Sequence, residues 1–135
     1  MLAKRAAAHD GGVGEVTLTF VDRVEIAALN AEHMGKDEAT DVLSFPMDDD
    51  PQPGVPTMLG DIVLSPAVAH GQFADHAGTF DDEIALLVVH GVLHLLGHDH
   101  AEPDESERMR QRELALLGEY HWHGPAPVGF RQSHD

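Results

Sequence analysis

The chain contains no cysteine, which excludes disulfides, thiolate zinc sites and cysteine nucleophiles together. Basic residues are scarce: 8 Lys and Arg stand against 24 Asp and Glu, a formal charge of −16. Such a balance keeps a protein in solution and repels polyanions at long range, so charge alone argues against a nucleic-acid partner. No apolar run approaches the length that spans a bilayer. The opening MLAKRAAAHD has too short an alanine run behind Lys4 and Arg5 for a secretory leader. These absences predict a soluble, cytoplasmic protein with no membrane partner. At 135 residues the chain has length for one domain and one real core.

With sulfur excluded, the eleven histidines are the obvious metal donors. Four of them lie in HGVLHLLGHDH, residues 90 to 100. The spacing of His90, His94, Gly97 and His100 matches the zinc-protease pattern H-E-x-x-H-x-x-G-x-x-H at every position but one. Where such a protease carries its catalytic Glu, this chain has Gly91.

Periodicity places that motif in a fold. Residues 2 to 9 read as the last turns of a helix stopped by Asp10, Gly11 and Gly12. EVTLTFVD alternates Val16, Leu18 and Phe20 against Glu15, Thr17 and Thr19, a half-buried strand. Asp22 opens a helix with capping-box spacing to Glu25 and an apolar stripe of Val24, Ala27 and Ala28, ending near Met34 and Gly35. DVLSFP (41–46) is a second strand, MDDDPQPGVP (47–56) a loop, and GDIVLS (60–65) a third strand buried on both faces. Ser65 with Pro66 caps a helix running to about Ala77. From Asp82 to Leu96 apolar residues surround the helix almost completely, which predicts a buried central helix ended by Gly97. A last helix, about Asp104 to Tyr120, packs through Met109, Leu114, Leu116 and Leu117. The expectation is an α+β fold: a small mixed sheet packed with helices, the buried central helix carrying the metal histidines. Residues 1–123 form the domain and 124–135, rich in Pro and Gly, a flexible tail.

His90 and His94 share one face of the helix, and Gly97 permits the reversal that brings His100 back to them. Three imidazoles leave a tetrahedral metal with one open position, the arrangement of a catalytic rather than a structural zinc. A helix lined by Leu and Val desolvates imidazoles at a cost that zinc binding, on the order of 10 kcal/mol, offsets. Such an ion acidifies water or polarises a carbonyl or phosphoryl oxygen, both hydrolytic uses. With Gly91 in place of Glu the proton must be moved by another group, so peptide hydrolysis drops in rank. Asp99 and Asp61 are candidates for that group, and each is more often a turn, cap or structural carboxylate. His98 is off the ligand spacing; His121 and His123 in HWHG offer at most a weak metal clip and read more simply as a solvated tail; His9, His33, His70, His76 and His134 receive no role.

The motif HGVLHLLGHDH resembles the signature of the YbeY endoribonucleases. TDVLSFP (40–46) is similar to that family's Thr-Asp/Asn-Val-Leu-Ser-Phe-Pro strand, and LGDIVLS (59–65) to the strand that follows it. The likeness covers roughly residues 15 to 118 and rests on three linked motifs. It implies one zinc ion held by His90, His94 and His100. It further implies a single-strand-specific endoribonuclease acting in 3′-end maturation of 16S ribosomal RNA and in ribosome quality control, with the ribosome or ribosomal proteins as partners. Two departures stand out. Where the family often reads Arg-Gly-Lys, using the Arg in its active cleft, this chain has Met34, Gly35 and Lys36. Transition-state stabilisation then falls to Lys36 and the metal; the plain alternative for Lys36 is a solvated loop lysine. The family also has a strand and most of a helix before this chain's start, so the amino end is expected to be short.

Two other readings compete. One is a metal hydrolase of another substrate class, such as a peptidase with its base supplied from elsewhere. The other is a non-enzymatic ribosome-associated factor whose zinc only holds the fold.

Overall fold

The computed structural model describes residues 15–46, 58–97 and 102–132. The expected helix remnant at 2–9 and the loop at 47–56 lie outside them. Three strands, β1 (Glu15–Phe20), β2 (Val42–Pro46) and β3 (Met58–Leu64), form a mixed sheet in the order β1-β3-β2. β1 runs parallel and β2 antiparallel to the central β3. Four helices accompany the sheet: α1 (Arg23–Met34), α2 (Pro66–Gln72), α3 (Phe80–Leu95) and α4 (Pro103–Leu117). This is the α+β architecture that the alternation of periods predicts.

β3 shows why its run is uniformly apolar. Successive side chains on a strand face opposite sides. Ile62 and Leu64 enter the main core with Leu86, Val89, Val92 and Leu93 of α3, while Val63 joins a smaller cluster with Leu43 and Ile26 of α1. Both faces of the central strand are therefore covered, and α3, buried along most of residues 82–93, lies against one of them. Thr79 caps α3, its hydroxyl accepting from the Asp82 N–H, so the helix starts two residues before the expected Asp82. Asp81, Asp82 and Glu83 fill its first turn, where carboxylates suit the helix dipole.

Three expectations change. The buried stripe of α1 is Ile26 and Asn30, not Val24, Ala27 and Ala28; Val24 is 78 % exposed. Only one narrow side of α1 touches the sheet, so its apolar surface residues carry no inward signal. Phe20, at the end of edge strand β1, is 56 % exposed although Val16 and Leu18 of the same alternation pack on the core. The helix expected from Pro66 to Ala77 stops at Gln72 and tightens into a 3₁₀ turn over Phe73–Asp75.

After α4 a π-turn over Gly118–Trp122 brings the chain back to the start of α3. His121 donates through Nε2, and Trp122 through Nε1, to the same Asp82 Oδ1, each at 2.8 Å. Part of the stretch expected to be a flexible tail also touches the body. The rings of Trp122 and Phe130 meet edge to face at 4.7 Å, and the Arg131 N–H donates to the His76 carbonyl at 3.0 Å.

Burial pushes the Asp82 carboxyl upward, but the bonds from Trp122, His121 and Thr79 and the charge of His121 outweigh it, leaving the group below its ordinary 3.8. A folded carboxyl held low contributes stability that is complete above the unfolded value and is lost as pH falls through the folded one. The stability gap between the parent and Asp82→Asn, followed by denaturant melts on the single Trp122, should be larger at about pH 5 than in more acidic medium, where it closes. A gap that persists undiminished at the acid end would contradict this account.

Candidate functional site

His90 sits in the buried stretch of α3 at 6 % exposure, and His94 one turn later is half-buried. A buried ring needs partners at both nitrogens. Nδ1 of His90 lies 2.9 Å from Oε2 of Glu113 on α4. A carboxylate there only accepts, so Nδ1 carries the hydrogen, and in the tautomer this selects the lone pair lies on Nε2. That Nε2 points at Nε2 of His94, 3.1 Å away. Two nitrogens each about 2.0–2.1 Å from one tetrahedral zinc stand about 3.3 Å apart, so this pair fits a shared ion with little adjustment. The carboxylate behind His90 is the kind of outer partner that fixes tautomer and ring plane in histidine metal sites.

Gly91, the position that raised the question of a missing base, is a contact point between helix and sheet. A Cβ placed there would meet Ile62 Cγ2 and Cδ1 at 3.1 and 3.2 Å and Ser44 Oγ at 3.2 Å. Ser44 donates to the Gly91 carbonyl at 3.2 Å, tying β2 to α3 beside His90. Glycine is present because the strands approach this closely. Any side chain at 91 requires Ile62 and Ser44 to give by a few tenths of an ångström, which crowds a group as long as a glutamate.

His90 and His94 line a cleft of about 680 Å³, walled by β2 and by the segment after α1. Met34 and Lys36 line it too, so position 34 and Lys36 do share the cleft with the histidines. Asn30 shapes this wall. Its carbonyl accepts from the Gly35 and Lys36 N–H groups, and its buried side chain donates to the Glu38 carbonyl at 3.0 Å. Asp41 also faces the cleft, with its carboxylate committed: Oδ1 accepts from the Val42 N–H and Thr40 Oγ1, and Oδ2 from Gln72 Nε2. Gln72 Nε2 also reaches Oε2 of the buried Glu83, which links the cleft wall to the start of α3.

Of the expected metal ligands, His90 and His94 are brought together. His100 lies outside the described residues, as do His98 and Asp99. Among the described residues no group of three His, Asp, Glu or Cys side chains could hold an ion. Gly97 ends the helix in the left-handed region at φ 97°, its N–H donating to the His94 carbonyl. Asp61 lies on β3, paired with Thr17 and Phe45, and does not line the cleft. Sequence reasoning missed Glu113. Its signal was present: Met109, Glu113, Leu116 and Leu117 follow one helical face, and Leu114, expected inside, is 38 % exposed. A carboxylate within an apolar stripe marks a buried partner.

The family described as Endoribonuclease YbeY matches residues 1–121. An Endoribonuclease YbeY of Mycolicibacterium gilvum is 48% identical over 114 residues, covering 78% of this chain and 64% of that protein. One of Carboxydothermus hydrogenoformans is 46% identical over 109 residues, covering 81% and 74%. A protein of Thermotoga maritima solved in solution matches with TM-score 0.57 and 26% identity, over 90% of this chain and 81% of that one. The chain spans only 61–64% of the length of three of the curated relatives at 48% identity.

Restoring a glutamate at the protease position should damage the fold and create no peptidase. Overpacking plus a buried charge in Gly91→Glu should remove about 3 kcal/mol or more in denaturant melts. A variant as stable as the parent would show that helix and sheet are not in close contact there.

Proposed function

The chain belongs to the YbeY family, and from that premise we propose that it is a zinc-dependent, single-strand-specific endoribonuclease. The observation that carries the proposal is the pair of Nε2 atoms, 3.1 Å apart, on the wall of a cleft that also contains Lys36. His90, His94 and His100 would hold the ion. Bound there, zinc supplies Lewis acidity.

The chain's own residues have separable tasks. Glu113 keeps the hydrogen of His90 on Nδ1 and so directs the ring's lone pair to Nε2, the ligating position. Asn30 holds the turn that presents Lys36, the cation among the described cleft residues, to a phosphate. Met34 brings apolar surface and no charge. The cleft volume is that of a site for a drug-sized ligand, the scale of an extruded nucleotide rather than a duplex. The substrate we assign is the 3′ region of small-subunit ribosomal RNA, cleaved in the cytoplasm during maturation and ribosome quality control. A formal charge of −16 disfavours capture of free RNA, which supports presentation of the strand by the ribosome or a ribosomal protein. The described residues contain no helix long and apolar enough to cross a membrane.

Purified protein of known metal content, offered single-stranded RNA and a peptide library, tests this reading. His94→Ala should reduce RNA cleavage to background; unchanged cleavage would remove the metal from the mechanism. Peptide turnover without RNA cleavage would instead indicate a peptidase. No turnover, with a loss of thermal stability on chelation, would indicate a structural zinc. Met34→Arg should raise RNA cleavage about tenfold, the worth of one charge-assisted bond to phosphate. No gain would show that position 34 does not reach the scissile strand.

A further inference from the structure

Glu113 is 3 % exposed, and its two oxygens have different partners. Oε2 faces His90 Nδ1 at 2.9 Å, and Oε1 accepts from Gln132 Nε2 at 3.2 Å. The same Gln132 nitrogen donates to the Arg110 carbonyl at 3.0 Å. An amide nitrogen carries two hydrogens, and both are used here, one on each acceptor. Since both neighbours only accept, the nitrogen rather than the oxygen of the amide has to face them. Gln132 lies 19 residues beyond Glu113 in a segment held at Phe130 by Trp122 and at Arg131 by the His76 carbonyl.

We propose that Gln132 is a positioning residue for the metal ligand His90, acting through Glu113. A carboxylate rotates about its last bond with little resistance. A donor fixed on Oε1 sets the plane of the group, hence the direction in which Oε2 meets the imidazole and the direction of Nε2 on its far side. The carboxyl-terminal segment thereby takes part in the site although it reaches no substrate. This inference rests on the reading of His90 and His94 as metal ligands.

Titration of the metal-free protein with cobalt(II), followed by its visible absorption, tests the proposal alongside thermal melts of the metal-free form. Gln132→Met keeps the length of the side chain and removes its donors. It should weaken cobalt binding about three- to tenfold, the worth of one net hydrogen bond, and alter the absorption envelope at temperatures where the metal-free melts show both proteins folded. Glu113→Gln should weaken binding about ten- to a hundredfold, as for other outer partners of ligating histidines. In that background Gln132→Met should add nothing. Parent-like binding in Gln132→Met, with binding lost in His94→Ala, would overturn this inference and leave the metal site standing. So would an undiminished effect of Gln132→Met in the Glu113→Gln background. Parent-like binding in His94→Ala would overturn the metal reading, and the role of Gln132 with it.

Discussion

The burial of one imidazole organises this molecule. His90 lies among Leu and Val side chains of α3, where a polar ring is tolerated only if both nitrogens find partners. Glu113 meets the first, which is why a charged residue occupies the apolar face of α4 between Met109 and Leu116. The second is turned toward the cleft, opposite the same nitrogen of His94. A cation shared there, as proposed, would draw on a lone pair of each ring and offset the cost of desolvating them. The core and the site are therefore one construction, since the same helix supplies Leu86, Val89 and Leu93 to the first and the histidines to the second.

The close approach of β2 and β3 to α3 follows from the same construction. Gly91 lets the sheet come within hydrogen-bonding distance of the helix backbone, and Ser44 uses that distance to bind the Gly91 carbonyl. The spacing of HGVLHLLGHDH is shared with zinc proteases because two rings four residues apart are what a helix can offer one ion. The residue between them is free to differ, and here it serves packing.

What the sequence discloses depends on whether a feature is local. The all-round apolar pattern of α3, the Asp22, Ser65 and glycine signals at helix ends, and the two-sided burial of β3 are set within a few residues and can be read directly. Val24 and Ile26 are nearly equivalent by propensity. Which of them is buried depends on how α1 lies on the sheet, and no local pattern states that. Leu114 and Glu113 pose the same problem in sharper form: hydrophobicity favours the leucine inside, and only the bond to Nδ1 of a histidine 23 residues earlier favours the glutamate. The place of Lys36 in the cleft is likewise fixed by Asn30, whose carbonyl and amide both hold the chain after α1.

Electrostatics impose a last condition on an anionic substrate. At physiological ionic strength charges beyond about 8 Å are largely screened, so the total of −16 governs approach more than contact. Within contact range the acids of the cleft are not equivalent. Asp41 spends its charge on the Val42 N–H, Thr40 and Gln72, groups that lower its potential toward the cleft, whereas Glu38 lines the wall with Lys36 and the histidines and partly offsets that lysine. A dication on those imidazoles would then make the floor of the cleft locally positive inside a strongly negative protein. Such a field would reward a phosphate already delivered to the cleft over one still diffusing, which accords with the proposed cleavage of a presented strand.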